Sequence, residues 1–327
     1  MKDGQLGPSI RHENREARDS FWISGISRDA NSAVNQLAAA YGERPLSEWL
    51  EARSWKLKMQ GTLTFLGTGT SMGVPTLACQ CPVCTSPDPH DRRLRPSVLL
   101  RWADPASGPE RANERIVVID TGPDFREQAL RERLTHVDAV LYTHGHADHI
   151  LGMDDLRPLS FIAAKKSGPI PLYADREAAA TLERTFAYTI SPQATYTNRA
   201  RVELIPLAEH NLVHGVDFVR VPLWHGEQCI AGFRFGNAAY MTDVSAIPEE
   251  SFSLLAGIDV LAISALRHTP HPSHSTVEQS VEWSRRIGAK QTWFTHISHD
   301  LGHEETNRNL PAGVKLAHDG LTVQVTL

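Results

Sequence analysis

His144-Gly145-His146-Ala147-Asp148-His149 sets three imidazoles and a carboxylate within six residues. The run follows Ala139-Val140-Leu141-Tyr142-Thr143, a short apolar stretch that reads as a buried strand. A turn from strand into helix splays such neighbours toward two adjacent points in space. Imidazole and carboxylate suit zinc, iron or manganese, and the nitrogen-rich set favours zinc. Packing is a poor alternative, because four such groups are costly to bury without partners. The C-terminal edge of a strand is also where α/β folds present functional groups.

Working outward, the same arrangement recurs. Residues 219–223 read as a strand leading to His225, residues 238–242 lead to Asp243, and residues 291–295 lead to His296. Residues 260–263 lead to the histidine-rich stretch from His268 to His274. Upstream, residues 62–66 form a β-rich run ending in Gly67-Thr68-Gly69-Thr70, a glycine turn between strands rather than a phosphate loop. Residues 97–102 and 116–120 flank a polar loop at 104–113 and read as a hairpin. Residues 170–173 suggest a strand, and residues 125–134 and 176–186 suggest helices. Asp120, closing its strand, either holds a ligand imidazole by a hydrogen bond or is a solvated turn carboxylate beside Gly122.

The histidine run resembles the H-x-H-x-D-H signature of the metallo-β-lactamase superfamily. That resemblance spans about residues 60 to 327 and implies a four-layer αβ/βα sandwich carrying a two-metal hydrolytic site. It implies that His144, His146 and His225 hold one metal, that Asp148, His149 and His296 hold the other, and that Asp243 spans both. His210 and His214 compete with His225, but Glu209-His210-Asn211-Leu212-Val213-His214 reads as a polar turn. Two ions roughly 3.5–4 Å apart share a water whose pKa falls toward neutrality, and they clamp the oxygens of a phosphoryl group. Zinc is the expected metal, with manganese open at the catalytic pair.

Cys79-Gln80-Cys81-Pro82-Val83-Cys84 offers three thiolates, one ligand short of a closed tetrahedral site of structural character. Reduced, unliganded thiols are the other reading. Together with Gly67-Thr68-Gly69-Thr70-Ser71-Met72-Gly73-Val74-Pro75, the loop resembles the phosphodiesterase PhnP and its relatives. In that group a histidine three residues beyond the last active-site histidine completes an extra zinc site, a spacing that His299 satisfies. The coenzyme PQQ biosynthesis protein B is similar in the same two loops.

His271-Pro272-Ser273-His274-Ser275-Thr276 has no ligand role in that scheme and should hang over the metals. His274-Ser275-Thr276 resembles the H-S-T motif of tRNA 3′-processing endonucleases, whose histidine faces the scissile phosphate. His274, with Asp148, is expected to carry catalysis, His271 standing second; either histidine could instead serve only to start the helix near Thr276. Arg157 could meet a substrate phosphate or form a surface salt bridge.

The 327 residues carry 33 Lys+Arg against 38 Asp+Glu, a net charge of -5 that argues weakly against nucleic acid. Three of the four cysteines crowd together, which disfavours a secreted disulfide framework, and Cys229 reads as a small buried hydrophobe. The polar N-terminus has no apolar core of a signal peptide and no stretch is long and apolar enough to span a bilayer, so a cytoplasmic location is expected. Residues 1–58 read as a partly helical extension, with helices at 33–41 and 46–50, that is either a docking appendage or sequence upstream of the true start; the hydrolase domain would be 59–327. The resemblance implies a phosphodiesterase for a small cyclic phosphodiester such as phosphoribosyl 1,2-cyclic phosphate. An RNA-processing nuclease, a lactamase- or thioesterase-like hydrolase and a non-catalytic zinc scaffold are the other readings. The oligomeric state is left between monomer and homodimer.

Overall fold

The computed structural model describes residues 59–104 and 114–327. The helices expected within residues 1–58, and most of the loop at 104–113, lie outside them. The first sheet contains β1 (Gln60–Gly67), β2 (Ser97–Ala103), β3 (Glu114–Ile119), β4 (Ala139–Leu141), β5 (Ile170–Ala174) and β6 (Val202–Pro206). The second contains β7 (His210–Val213), β8 (Val216–His225), β9 (Gln228–Phe235), β10 (Ala238–Met241), β11 (Val260–Ser264), β12 (Gln291–Thr295) and β13 (Val314–Leu316). A last strand, β14 (Thr322–Thr326), returns to the first sheet beside β1. The strand orders are β14-β1-β2-β3-β4-β5-β6 and β13-β12-β11-β10-β9-β8-β7. Each sheet is antiparallel up to β3 or β10 and parallel beyond it.

The apolar alternation explains the layering. In β3, Val117 and Ile119 face the second sheet, while Ile116 and Val118 face helices. In β11, Val260 and Ala262 face inward, while Leu261 and Ile263 face helices. Both faces of these strands are buried, so they read as unbroken apolar runs. Against the outer face of the first sheet lie α1 (Phe125–Arg131), α2 (Ala147–Ile150), α3 (Arg157–Ala163), α4 (Arg176–Thr185) and α5 (Ala187–Ile190). The second sheet carries α6 (Ser251–Leu254), α7 (Val277–Ile287) and α8 (His303–Asn309). This is the four-layer αβ/βα sandwich.

Two expectations are corrected. His210 begins strand β7 rather than standing in a polar turn, its Nδ1 2.8 Å from Asp217. Cys229 is exposed, not buried: on β9 it pairs with the exposed Trp224 of β8, so the alternation points both outward. No helix among the described residues is long and apolar enough to cross a membrane.

Candidate metal centre

The site collects at strand ends. Asp120 follows β3, the histidine run follows β4, Asp243 follows β10 and His296 follows β12, while His225 closes β8. Asp120, Asp243 and His296 adopt left-handed backbone, with φ of 66°, 58° and 54°. Aspartate and histidine tolerate that region better than most residues, and such strain gathers at functional sites. Gly122 admits the metal turn: a Cβ there would stand 2.1 Å from the Asp148 carbonyl oxygen.

The side chains form two groups. His144, His146 and His225 converge, with ring centroids 4.5, 5.3 and 5.0 Å apart for the pairs 144–146, 144–225 and 146–225. Asp148, His149, Asp243 and His296 form the other, wholly buried group. His149 Nε2 is 3.2 Å from Asp148 Oδ2 and 3.2 Å from Asp243 Oδ2, and His296 Nε2 is 3.0 Å from Asp243 Oδ1. Ligands that share one zinc at about 2.0–2.1 Å stand roughly 3–3.5 Å from each other. Asp243 also groups with His225 and His274, which places it between the two sets. The Nε2 atoms of His144, His149 and His296 are buried with no hydrogen-bond partner. Such orphans are expensive, and a cation satisfies them. The donor set therefore fits a pair of divalent metal ions.

The opposite ring nitrogens are held. His149 Nδ1 meets Asp120 Oδ2 at 2.7 Å, and Asp120 also accepts from the Thr143 amide and hydroxyl at 2.8 Å each. Of the two readings of Asp120, the hydrogen-bonded one is what the structure contains. His225 Nδ1 donates to the Ser273 carbonyl at 2.7 Å, so the His271–His274 loop orients this histidine. Electrostatics agree. Burial penalises the charge on His296, but Asp243 and Asp148 outweigh it and lift the imidazole to about 9. His149 rises well above its ordinary value against the same burial penalty, lifted by Asp148, Asp243 and Asp120. The two buried carboxylates call for positive charge at this point.

His274 lies over both groups, 4.7 Å from His225 and 4.7 Å from His296, which it stacks against. Burial and then His296 push it down to about 3. His271 lies behind it, 4.9 Å away. The helix start belongs to Thr276, which caps α7 in a reciprocal pair with Gln279, so neither histidine serves as the cap.

The cysteines meet His299. Its Nδ1 is 3.2 Å from Cys79 Sγ, 3.6 Å from Cys81 Sγ and 3.4 Å from Cys84 Sγ. A sulfur and a nitrogen on one tetrahedral zinc stand roughly 3.6 Å apart, so this set also fits. Buried Arg93 ties the same two segments, donating to the Ser298 and Leu301 carbonyls at 2.9 and 2.7 Å and pairing with Asp91.

Arg157 is engaged elsewhere, with Asp154, the Tyr196 hydroxyl and the Asn198 carbonyl. The arginines beside the site are ones that sequence reasoning missed. A cavity of about 360 Å³ runs from Gly145 and His146 along α4, lined by Arg176, Glu177, Arg184 and Gln228. Arg176, Ala180 and Arg184 share one helix face at four-residue spacing, a signal that ordinary surface helices also give. A cavity of about 430 Å³ between α7 and α8, lined by His268, Glu278 and Arg285, holds none of the clustered ligands.

Comparison with known proteins agrees with this fold. A family model described as a β-lactamase superfamily domain matches residues 115–297. The solved structure of a diphosphatase from the PhnP family is 51% identical, with a TM-score of 0.75 over 83% of this chain and 99% of that one. Zinc-bound PqqB from Methylobacterium extorquens shares the fold at 18% identity, with a TM-score of 0.56 over 80% of this chain and 99% of its own. An octanoyltransferase from Porphyromonas gingivalis is 34% identical over 260 residues, 78% of this chain. The chain spans half the length of that curated relative.

Proposed function

The chain belongs to the PhnP family of the β-lactamase superfamily, and from that premise we propose that this metal-dependent hydrolase cleaves a P–O bond in a small substrate carrying a second phosphate. Phosphoribosyl 1,2-cyclic phosphate, with its phosphate apart from the cyclic diester, is one such molecule. A diphosphate, the substrate type in the name of the 51% identical relative, is the other. The observation that carries the reading is the cavity: His146 of the metal centre shares its lining with Arg176 and Arg184, and with Glu177, which leaves room for one phosphoryl group at the metal centre and another at guanidinium.

His144, His146 and His225 would hold one zinc ion, Asp148, His149 and His296 the other, and Asp243 would lie between them; manganese could replace zinc here. Cys79, Cys81, Cys84 and His299 would hold a third, structural zinc. Cations held at the paired site would neutralise charge on phosphoryl oxygens and acidify a water. Asp120 and the Ser273 carbonyl keep Nε2 of His149 and His225 turned inward by accepting from the opposite nitrogens. His274, over both groups, donates a hydrogen bond to the phosphoryl or leaving oxygen. Water adds to phosphorus, the bridging P–O bond breaks, and the leaving oxygen departs with a proton.

The test is a panel of phosphoribosyl 1,2-cyclic phosphate, a dinucleoside diphosphate, bis-p-nitrophenyl phosphate and a β-lactam, assayed with the wild type and Arg184→Ala. The variant should raise KM for the first two by about 10- to 100-fold, the worth of a hydrogen bond to a charged group, and far less for bis-p-nitrophenyl phosphate. Turnover of the lactam with none of the phosphoesters would overturn the reading.

A further inference from the structure

Away from the paired centre and the cysteine loop, His90, His303 and Glu304 bring ligand atoms within 4.8 Å of one another. The residues come from distant parts of the chain. His90 occupies the turn Pro89–Asp91, just beyond the cysteine loop, and His303 and Glu304 open α8. The His90 ring packs 4.7 Å from His303 and 4.3 Å from His318. Imidazoles this close repel if protonated together, so the cluster favours neutral, electron-donating rings. His303 is only 6% exposed, and its Nδ1 is buried with no hydrogen-bond partner. A buried imidazole nitrogen without a bond of its own is costly unless something fills the gap.

The His90 turn is fixed locally, its backbone amide donating to Asp88 Oδ1 at 2.9 Å. The backbones are already registered, since Asp91 Oδ1 accepts from the His303 amide at 2.8 Å. A cavity of about 370 Å³ lined by His90, His303, Glu304 and His318, with Arg308 and Lys315 also on its wall, leaves room for solvent on the cation. We propose that His90, His303 and Glu304 form a further binding site for a divalent transition-metal ion of the zinc type, open on its Glu304 side. Two imidazoles and one carboxylate are the donor set such ions accept with water completing the shell. The ion would clasp the turn after the cysteine loop to α8.

The experiment is equilibrium dialysis of the full chain against buffered free zinc, with metal analysis per chain and circular dichroism as a check on folding. The wild type should bind one zinc more than His90→Ala/Glu304→Gln. Equal zinc in the two folded proteins overturns the site. If the double variant does not fold, Glu304→Gln alone, at an exposed position, decides. It should weaken the additional zinc by about tenfold or more, and an unchanged affinity overturns the proposal.

Discussion

Asp120 shows what one residue contributes without touching substrate. Its carboxylate is fully buried and raised by that burial, against the pull of His149 and Thr143, yet it aims three accepted hydrogen bonds at the β4 turn. Asp120→Asn would place an amide N–H against one of these donors and remove the negative charge behind His149. Metal affinity at the paired centre should fall by about 10- to 100-fold, read by competition with a chromophoric chelator. An unchanged affinity would show that His149 needs no such support. At this scale the sequence was informative where ligands are neighbours: His144 to His149 and the three cysteines declare themselves by spacing. His225, Asp243 and His296 were legible as side chains at strand ends, but their division between two metals came only through the family pattern. Arg176 and Arg184 were illegible, because their role depends on where α4 lies against the β4 turn. The left-handed backbone at Asp120, Asp243 and His296 also leaves no mark in the sequence.

Elements were legible where apolar runs were uninterrupted. β3, β11 and β12 stand out as β-branched or aromatic stretches that end in chemistry. β9 did not, because Gly232 interrupts Gln228–Phe235 and an internal glycine ordinarily weakens a strand. The packing supplies the reason for it. A Cβ at Gly232 would lie 2.9 Å from Leu223 Cδ1 and 3.2 Å from the Tyr240 carbonyl, between the β8 and β10 neighbours. Gly232→Ala should therefore destabilise the fold by about 1–3 kcal/mol in urea unfolding, whereas alanine in an unobstructed strand would stabilise it. β6, β7 and β14 are short or carry polar alternation, and only their pairing partners make them strands.

Long-range polar ties add to the apolar cores of the described residues, and Asp319 makes three of them. It accepts from the Thr68 amide and hydroxyl and from the Leu94 amide, joining the ends of β1 and the approach to β2 to the turn before β14. Burial raises its carboxyl to about 6, although Leu94, Thr68 and Arg131 pull the other way. The unfolded chain releases this proton near pH 4. Between about pH 4 and 6 the folded chain thus holds a proton that the unfolded chain has lost, and this contribution to stability declines as pH rises through that window. It is constant above it. Urea midpoints measured from pH 4.5 to 7.5 should show this decline in the wild type and a flatter profile in Asp319→Asn, whose overall stability drops because an amide nitrogen must face one of three N–H or O–H donors. Identical slopes would count against it.

β14 has its own consequence for how the chain acquires this shape. The strand pairs with β1, in register from Gln60↔Thr326 to Thr64↔Thr322, and Asn237 of the second sheet exchanges hydrogen bonds with Thr326. The first sheet therefore waits for residues about 260 positions downstream before its edge is covered. During synthesis β1 would leave the ribosome long before its outer partner exists, with a bare edge able to pair with other chains. Nascent chains stalled short of residue 322 should be the ones that chaperones hold.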